Sequence, residues 1–140
     1  MELSIFSSAA HELADNPQVW EVCGMTISAE QAAMLVQHQR AVLRDVGRVD
    51  FGGGVLKKLA AAFCGSPYIQ ANNWADTLAQ LTELFYALKN ETRDQLGDDA
   101  LIAAMAARFN GDAGGSLDAL AATEPVWFLR FDKERVAYES

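Results

Sequence analysis

The sequence predicts a mainly α fold, an irregular antiparallel helical bundle of five or six helices, with a small β-hairpin expected at the C-terminus. Three observations carry the prediction. Apolar residues recur at alternating steps of three and four, the spacing that gathers them on one side of a helix. Residues suited to helix N-caps stand immediately before those runs, and glycines follow several of them. The 140 residues are also enough to enclose one hydrophobic interior, and no linker, repeat or low-complexity tract divides them, so residues 1–140 are taken as one helical domain.

Met1 to Asn16 is Ala-rich and is read as holding a short helix around Ser8–Ala14 that stops before Asn16-Pro17. Gln18 to Ile27 is β-like, with Val19, Trp20, Val22, Met25 and Ile27, and Gly24 marks a bend. Ser28 and Gln31 form a capping-box pair at the start of a helix. Leu35, Val42 and Val46, joined by Ala32, Met34 and Leu43, give it an apolar face, and Gly47 closes it. After Arg48 to Gly54, a second helix carries Val55, Leu56, Leu59 and Phe63 on one side, and Gly65-Ser66-Pro67 ends it. Asn73 is the expected cap of the longest helix, in which Trp74, Leu78, Leu81, Phe85 and Leu88 make a buried stripe running toward a stop at Gly97. Asp98 or Asp99 is expected to cap the next helix, with Leu101, Ile102, Met105 and Phe109 inward. Ser116 caps a short helix over Leu117–Ala122. Val126 to Phe131 is aromatic and β-prone, Asp132 to Arg135 reads as a turn, and Val136 to Tyr138 follows. These three pieces are read as a hairpin, with the segment 18–23 as a pairing partner, although Trp127, Phe131 and Tyr138 would also share one face of a helix.

Composition excludes several function classes. Hydrophobic residues make up 51% and charged residues 21%, the balance of a globular chain rather than a disordered one. Net charge is −8, and the 11 Lys and Arg form no basic run, which argues against a nucleic-acid partner. Two cysteines, Cys23 and Cys64, are too few for a disulfide framework and lack metal-ligand spacing. The opening Met1-Glu2-Leu3-Ser4 has no basic region, and no apolar run is long enough to span a membrane, so a cytoplasmic location without membrane partners is expected.

Three blocks, Gly47 to Leu56 (GRVDFGGGVL), Ala62 to Tyr68 (AFCGSPY) and Glu83 to Thr92 (ELFYALKNET), together with Asp98 to Ile102 and Gly115 to Leu117, carry a resemblance that covers about Met25 to Ala121. They resemble a family of small bacterial proteins of unknown function, mostly from anaerobic Gram-positive bacteria. The resemblance implies a bacterial cytosolic protein with a helical fold, and brings no activity, cofactor or partner.

Four groups of residues are candidates for chemistry or binding. Asp50 with Gly52, Gly53 and Gly54 precedes a helix N-terminus, where exposed N–H groups attract anions and glycine lets a phosphate approach, with Lys57 and Lys58 close behind. The pattern is neither a P-loop nor a dinucleotide fingerprint, and a flexible turn is the commoner use of such glycines. Asp50 is expected to cap that turn or pair with Arg48. Tyr86, Lys89, Asn90 and Arg93 stand at i, i+3, i+4 and i+7, one helix flank that is either a ligand patch or an ordinary solvated face. His11 and His38 lack partner ligands at metal-binding spacing, so no metal and no cofactor is expected. Cys64, at a helix C-terminus, is in the wrong field for an activated thiol. Trp127, Phe128 and Phe131 form an aromatic segment that must cover itself, in the protein's own core or at an interface.

No catalytic constellation emerges. The leading expectation is a non-enzymatic interaction module that binds a protein partner or a second copy of itself. The alternative is a small-ligand- or anion-binding protein, or an enzyme, built on the Asp50–Gly54 turn and the Tyr86–Arg93 flank.

Overall fold

Capping and apolar spacing act together from the first described helix onward. The computed structural model describes residues 27–48 and 55–139, with side chains in the last helix as far as Lys133. Within them lie six α-helices: α1 (Ala29–Val46), α2 (Val55–Phe63), α3 (Trp74–Glu91), α4 (Asp98–Asn110), α5 (Leu117–Ala121) and α6 (Pro125–Glu139), with a single 3₁₀ turn at Ala71–Asn73. No strand occurs among the described residues. The early helix around Ser8–Ala14, the β-like segment 18–26 and Asp50 to Gly54 lie outside them.

α1 starts as its capping box requires. Ser28 Oγ accepts from Gln31 N–H at 3.1 Å while Gln31 Oε1 accepts from Ser28 N–H at 3.0 Å, so two donors without helical partners are satisfied reciprocally. It ends at Gly47, whose φ of 72° lies in the left-handed region that glycine occupies without steric cost. Gly47 N–H then reaches Arg44 O and Arg48 N–H reaches Leu43 O, the paired bonds of a Schellman ending. Ala32, Leu35 and Val42 are buried as expected, but Met34 points to solvent at 68% exposure, and Val36 takes the inward position instead.

α3 is the central element. Trp74, Leu78, Leu81, Phe85 and Leu88 are all buried, and the helix packs against α1, α2, α4 and α5. His38 faces Glu83, Gln39 meets Tyr86, and Arg48 meets Asn90 and Asp94, so α1 and α3 run in the same direction. Lys58 pairs with Asp99, Phe63 with Phe109 and Ser66 with Asn110, so α2 and α4 also run alike. Helices that alternate along the chain pack directly against each other, and this gives the bundle its irregularity.

Three local expectations change. α3 stops at Glu91, well before Gly97. The hydroxyl of Thr92 donates back to Leu88 O at 2.7 Å, and Arg93 and Asp94 adopt left-handed φ of 55° and 58°, which turns the chain at once. Gly97, not Asp98 or Asp99, is the N-cap of α4, and both aspartates fall in its first turn, where their charge favours the helix dipole. Asn73 precedes α3 but gives it no side-chain cap: its Oδ1 accepts from Gln70 N–H at 3.0 Å.

The C-terminal hairpin is replaced by α6. Pro125 opens it at the position where a missing N–H costs nothing, and the expected turn Asp132–Arg135 lies inside the helix. Aromatic residues with high strand propensity are helical here because α4 offers a surface for one side of a helix, and Phe128 is fully buried. Such packing outweighs propensity differences of about 1 kcal/mol or less.

Two substitutions test this packing. Leu81→Ala removes a fully buried side chain from α3 and is expected to cost about 2–5 kcal/mol in urea unfolding. Gly115 has φ of 83°, and a Cβ there would strike the Tyr68 ring, so Gly115→Ala should cost about 1–3 kcal/mol by overpacking, with left-handed strain in addition. A change near zero at either position would contradict the packing described.

Candidate functional sites

The α3 flank named from the sequence divides into residues with different roles. Tyr86 is buried at 3% exposure, and its hydroxyl accepts from Gln39 Nε2 at 2.9 Å, which binds α3 to α1. Lys89 is also buried. Its ammonium donates to Leu96 O at 2.9 Å and lies 3.1 Å from Asp98 and 3.7 Å from Asp94. A buried ammonium is tolerated when paired in this way, and here it joins the end of α3 to the start of α4. Asn90 is exposed: its Oδ1 accepts from Arg48 at 2.7 Å and its Nδ2 donates to Val46 O at 3.4 Å. Arg93 lies beyond the helix, exposed, on the left-handed turn, so the flank ends before reaching it.

Arg48 therefore bonds Asn90 and both carboxylate oxygens of Asp94. The Arg48 hydrogen bonds hold the Asp94 carboxyl below its ordinary value of 3.8, and the same bonds raise the guanidinium. Together Arg48, Lys89, Asn90, Asp94 and Asp98 make a polar knot that ties α1, α3 and α4 at one end of the bundle. The chain leaves this knot at Arg48 toward Asp50 and Gly52–Gly54, which lie outside the described residues. Beyond that stretch, Lys58 is held by Asp99 at 3.2 Å, while Lys57 is exposed.

Two buried nitrogens stand apart from these networks. Among the described residues Trp74 Nε1 has no hydrogen-bond partner, and His38 Nε2 lies 3.1 Å from Glu83 Oε1 as an ion-pair contact rather than a hydrogen bond. Cys64 is buried near Ala61 O. Among the described residues, no three of His, Cys, Asp and Glu come together as a metal site, and no helix is long and apolar enough to cross a membrane.

The aromatic segment is split by the turn of α6. Phe128 belongs to the core. Trp127 and Phe131, four residues apart, are half-buried and stack at 5.3 Å with an interplanar angle of 15°. The Arg108 guanidinium of α4 lies 5.0 Å from the Trp127 ring centre, where the ring quadrupole attracts it. Arg108 is also fixed by Thr123 at 3.1 Å and by Asp112 at 3.1 Å. Val126 beside them is 50% exposed.

With these sites in place, comparison with known proteins adds one match: residues 12–133 fit the Family of unknown function (DUF6323). The chain belongs to that family. The DUF6323 region extends past the blocks noted in the sequence and takes in α6 as far as Lys133. No curated protein and no solved structure matches the chain.

Helical spacing placed Tyr86, Lys89 and Asn90 along α3, whereas Arg93, the fourth residue of the expected flank, lies beyond the helix end. Spacing did not bring Gln39 to Tyr86 or Asp94 to Arg48, because those pairs join residues far apart in the chain. The short interval from Lys89 to Asp94 and Asp98 was a readable signal for local pairing.

Two outcomes test the knot. Lys89→Met should cost about 1–3 kcal/mol in chemical denaturation, because Leu96 O loses its charged donor. For Asp94, the folded carboxyl titrates below the unfolded one, so the unfolded state binds more protons as pH falls through that range. Its contribution is therefore present above about pH 4 and lost in acid. Asp94 is half-exposed, so wild type should exceed Asp94→Asn by no more than about 1 kcal/mol at neutral pH, with the gap closing toward pH 3. A gap that widens in acid would contradict the assignment.

Proposed function

We propose that this DUF6323 member is a non-enzymatic helical interaction module of the bacterial cytosol, and that the outer side of α6 is its docking face. One observation carries the reading: the stacked Trp127–Phe131 pair packs at the edge of the core and is only partly buried beside the exposed Val126, while Phe128 is fully enclosed. Aromatic residues and Arg are enriched in protein interfaces, and large rigid rings lose little conformational entropy on binding. The stacking also fixes both rings in advance, which lowers the ordering cost of association.

The alternative, a ligand- or anion-binding protein using Asp50–Gly54 with Tyr86, Lys89, Asn90 and Arg93, gains less support. Tyr86 and Lys89 spend their polar atoms inside the fold, and Arg93 stands off the helix. Cytosolic residence rests on the acidic composition and the two widely spaced cysteines.

Light scattering and affinity capture of the full chain, compared with the Trp127→Ser/Phe131→Ser variant, test the reading. A self-association or a captured protein that the variant loses, with its helical circular dichroism intact, is the expected result. A strict monomer whose captured proteins are the same with and without the two rings would refute it.

A further inference from the structure

Four of the described cations are held in ion pairs within the bundle. Arg48 meets Asp94, Lys58 meets Asp99, Lys89 meets Asp98 and Arg108 meets Asp112. On α6, Arg130 and Lys133 are exposed, and neither forms an ion pair among the described residues. Val126, Arg130 and Lys133 stand at i, i+4 and i+7, which places them on one stripe of the helix. Trp127 and Phe131 form the neighbouring stripe, and Asp132 falls on the other side, four residues from the buried Phe128. The exposed side of α6 thus carries Val126 and two cations that form no ion pair among the described residues, bordered by the partly buried Trp127 and Phe131 rings, on a chain whose net charge is −8.

We propose that this face takes an acidic peptide segment whose apolar side chains cover Val126, Trp127 and Phe131 while its carboxylates pair with Arg130 and Lys133. The inference rests on the reading of α6 as the docking face, and it names the partner class. The acidic character of the whole chain does not prevent it. At physiological ionic strength, charges beyond about 8 Å are largely screened, so the local cations govern contact at the strip. Two other occupants fit less well. A second copy docked strip to strip sets Arg130 and Lys133 against the same cations of its partner, with no carboxylate of the described strip to meet them. A nucleic acid needs a wider cationic surface, since duplex-binding proteins typically make about 6–10 phosphate contacts. An amphipathic acidic segment, helical or extended, needs only one strip.

Selection of short random peptides displayed on phage against the folded full chain tests the proposal. The Trp127→Ser/Phe131→Ser variant identifies those peptides that need the strip. Among them, Asp and Glu should outnumber Lys and Arg, and Arg130→Glu/Lys133→Glu should weaken binding by about tenfold or more. Raising the salt concentration should weaken wild-type binding and leave the charge-reversed variant little changed. If the strip-dependent peptides are basic or uncharged, or charge reversal leaves their affinity unaltered, the acidic-partner inference fails while the α6 face survives. If the selected peptides bind both proteins equally, the α6 face fails as well. A gel shift of a mixed-sequence oligonucleotide that requires Arg130 and Lys133, or a dimer through α6 that the peptides do not displace, would also overturn the proposal.

Discussion

Burial of one side of α3 is the constraint on which the other elements depend. Trp74, Leu78, Leu81, Phe85 and Leu88 extend over the length of an 18-residue helix, and none retains appreciable exposure. A helix that long cannot hide such a stripe against one neighbour. It is covered by α1 along one side and by α2, α4 and α5 elsewhere, so the remaining helices are arranged by what α3 needs covered. The same-direction pairing of α1 with α3 follows from connectivity, since α2 returns the chain between them. The half-length of α2, nine residues, restricts how much it covers and leaves the longest contact to α1.

Polar groups then fix the ends that apolar packing alone leaves free to slide. Hydrophobic contact is non-directional, whereas Gln39–Tyr86, Arg48–Asn90 and Lys89–Leu96 each allow one register. The turn after α3 shows what this demands of the backbone. Two consecutive non-glycine residues, Arg93 and Asp94, hold left-handed angles, a conformation that costs roughly 1–2 kcal/mol per residue. Asp94 gains Arg48 and Lys89 in that conformation. Tyr86, Lys89 and Asn90, first considered as part of a ligand patch, are therefore accounted for largely by the architecture.

Much of the fold was legible because caps and periodicity are local. Ser28, Gly47 and Ser116 act as their chemistry indicates, and the α3 stripe is buried residue for residue. Three of the departures show where local signals stop deciding. Gly97 attracted the stop of α3 because glycine is the usual terminator, yet Thr92 and a distant Arg48 set it earlier. Trp127 and Phe131 suggested strands because β-propensity reflects a fit to a half-buried surface, and the surface that α4 provides is one that a helix fits. Met34 is apolar but stands about 100° around the helix from Leu35, on the side away from Ala32 and Val36, and so faces solvent. For the candidate sites, helical geometry placed Tyr86, Lys89 and Asn90 together, but it carried no information on which of their polar atoms the fold would consume. Membership of the DUF6323 family is consistent with the family resemblance of the sequence blocks and adds no chemistry of its own.

With its stripe covered by four helices, α3 is the most persistently structured element, whereas α6 has α4 as its main described neighbour. Native-state amide hydrogen exchange resolved by residue separates these directly, because it reports the free energy of each local opening. Amides from Leu78 to Leu88 should exchange only through global unfolding, with those of α6 opening at distinctly lower free energy. Protection in α6 equal to or greater than that in α3 would show that the bundle is organised around something other than the α3 seam.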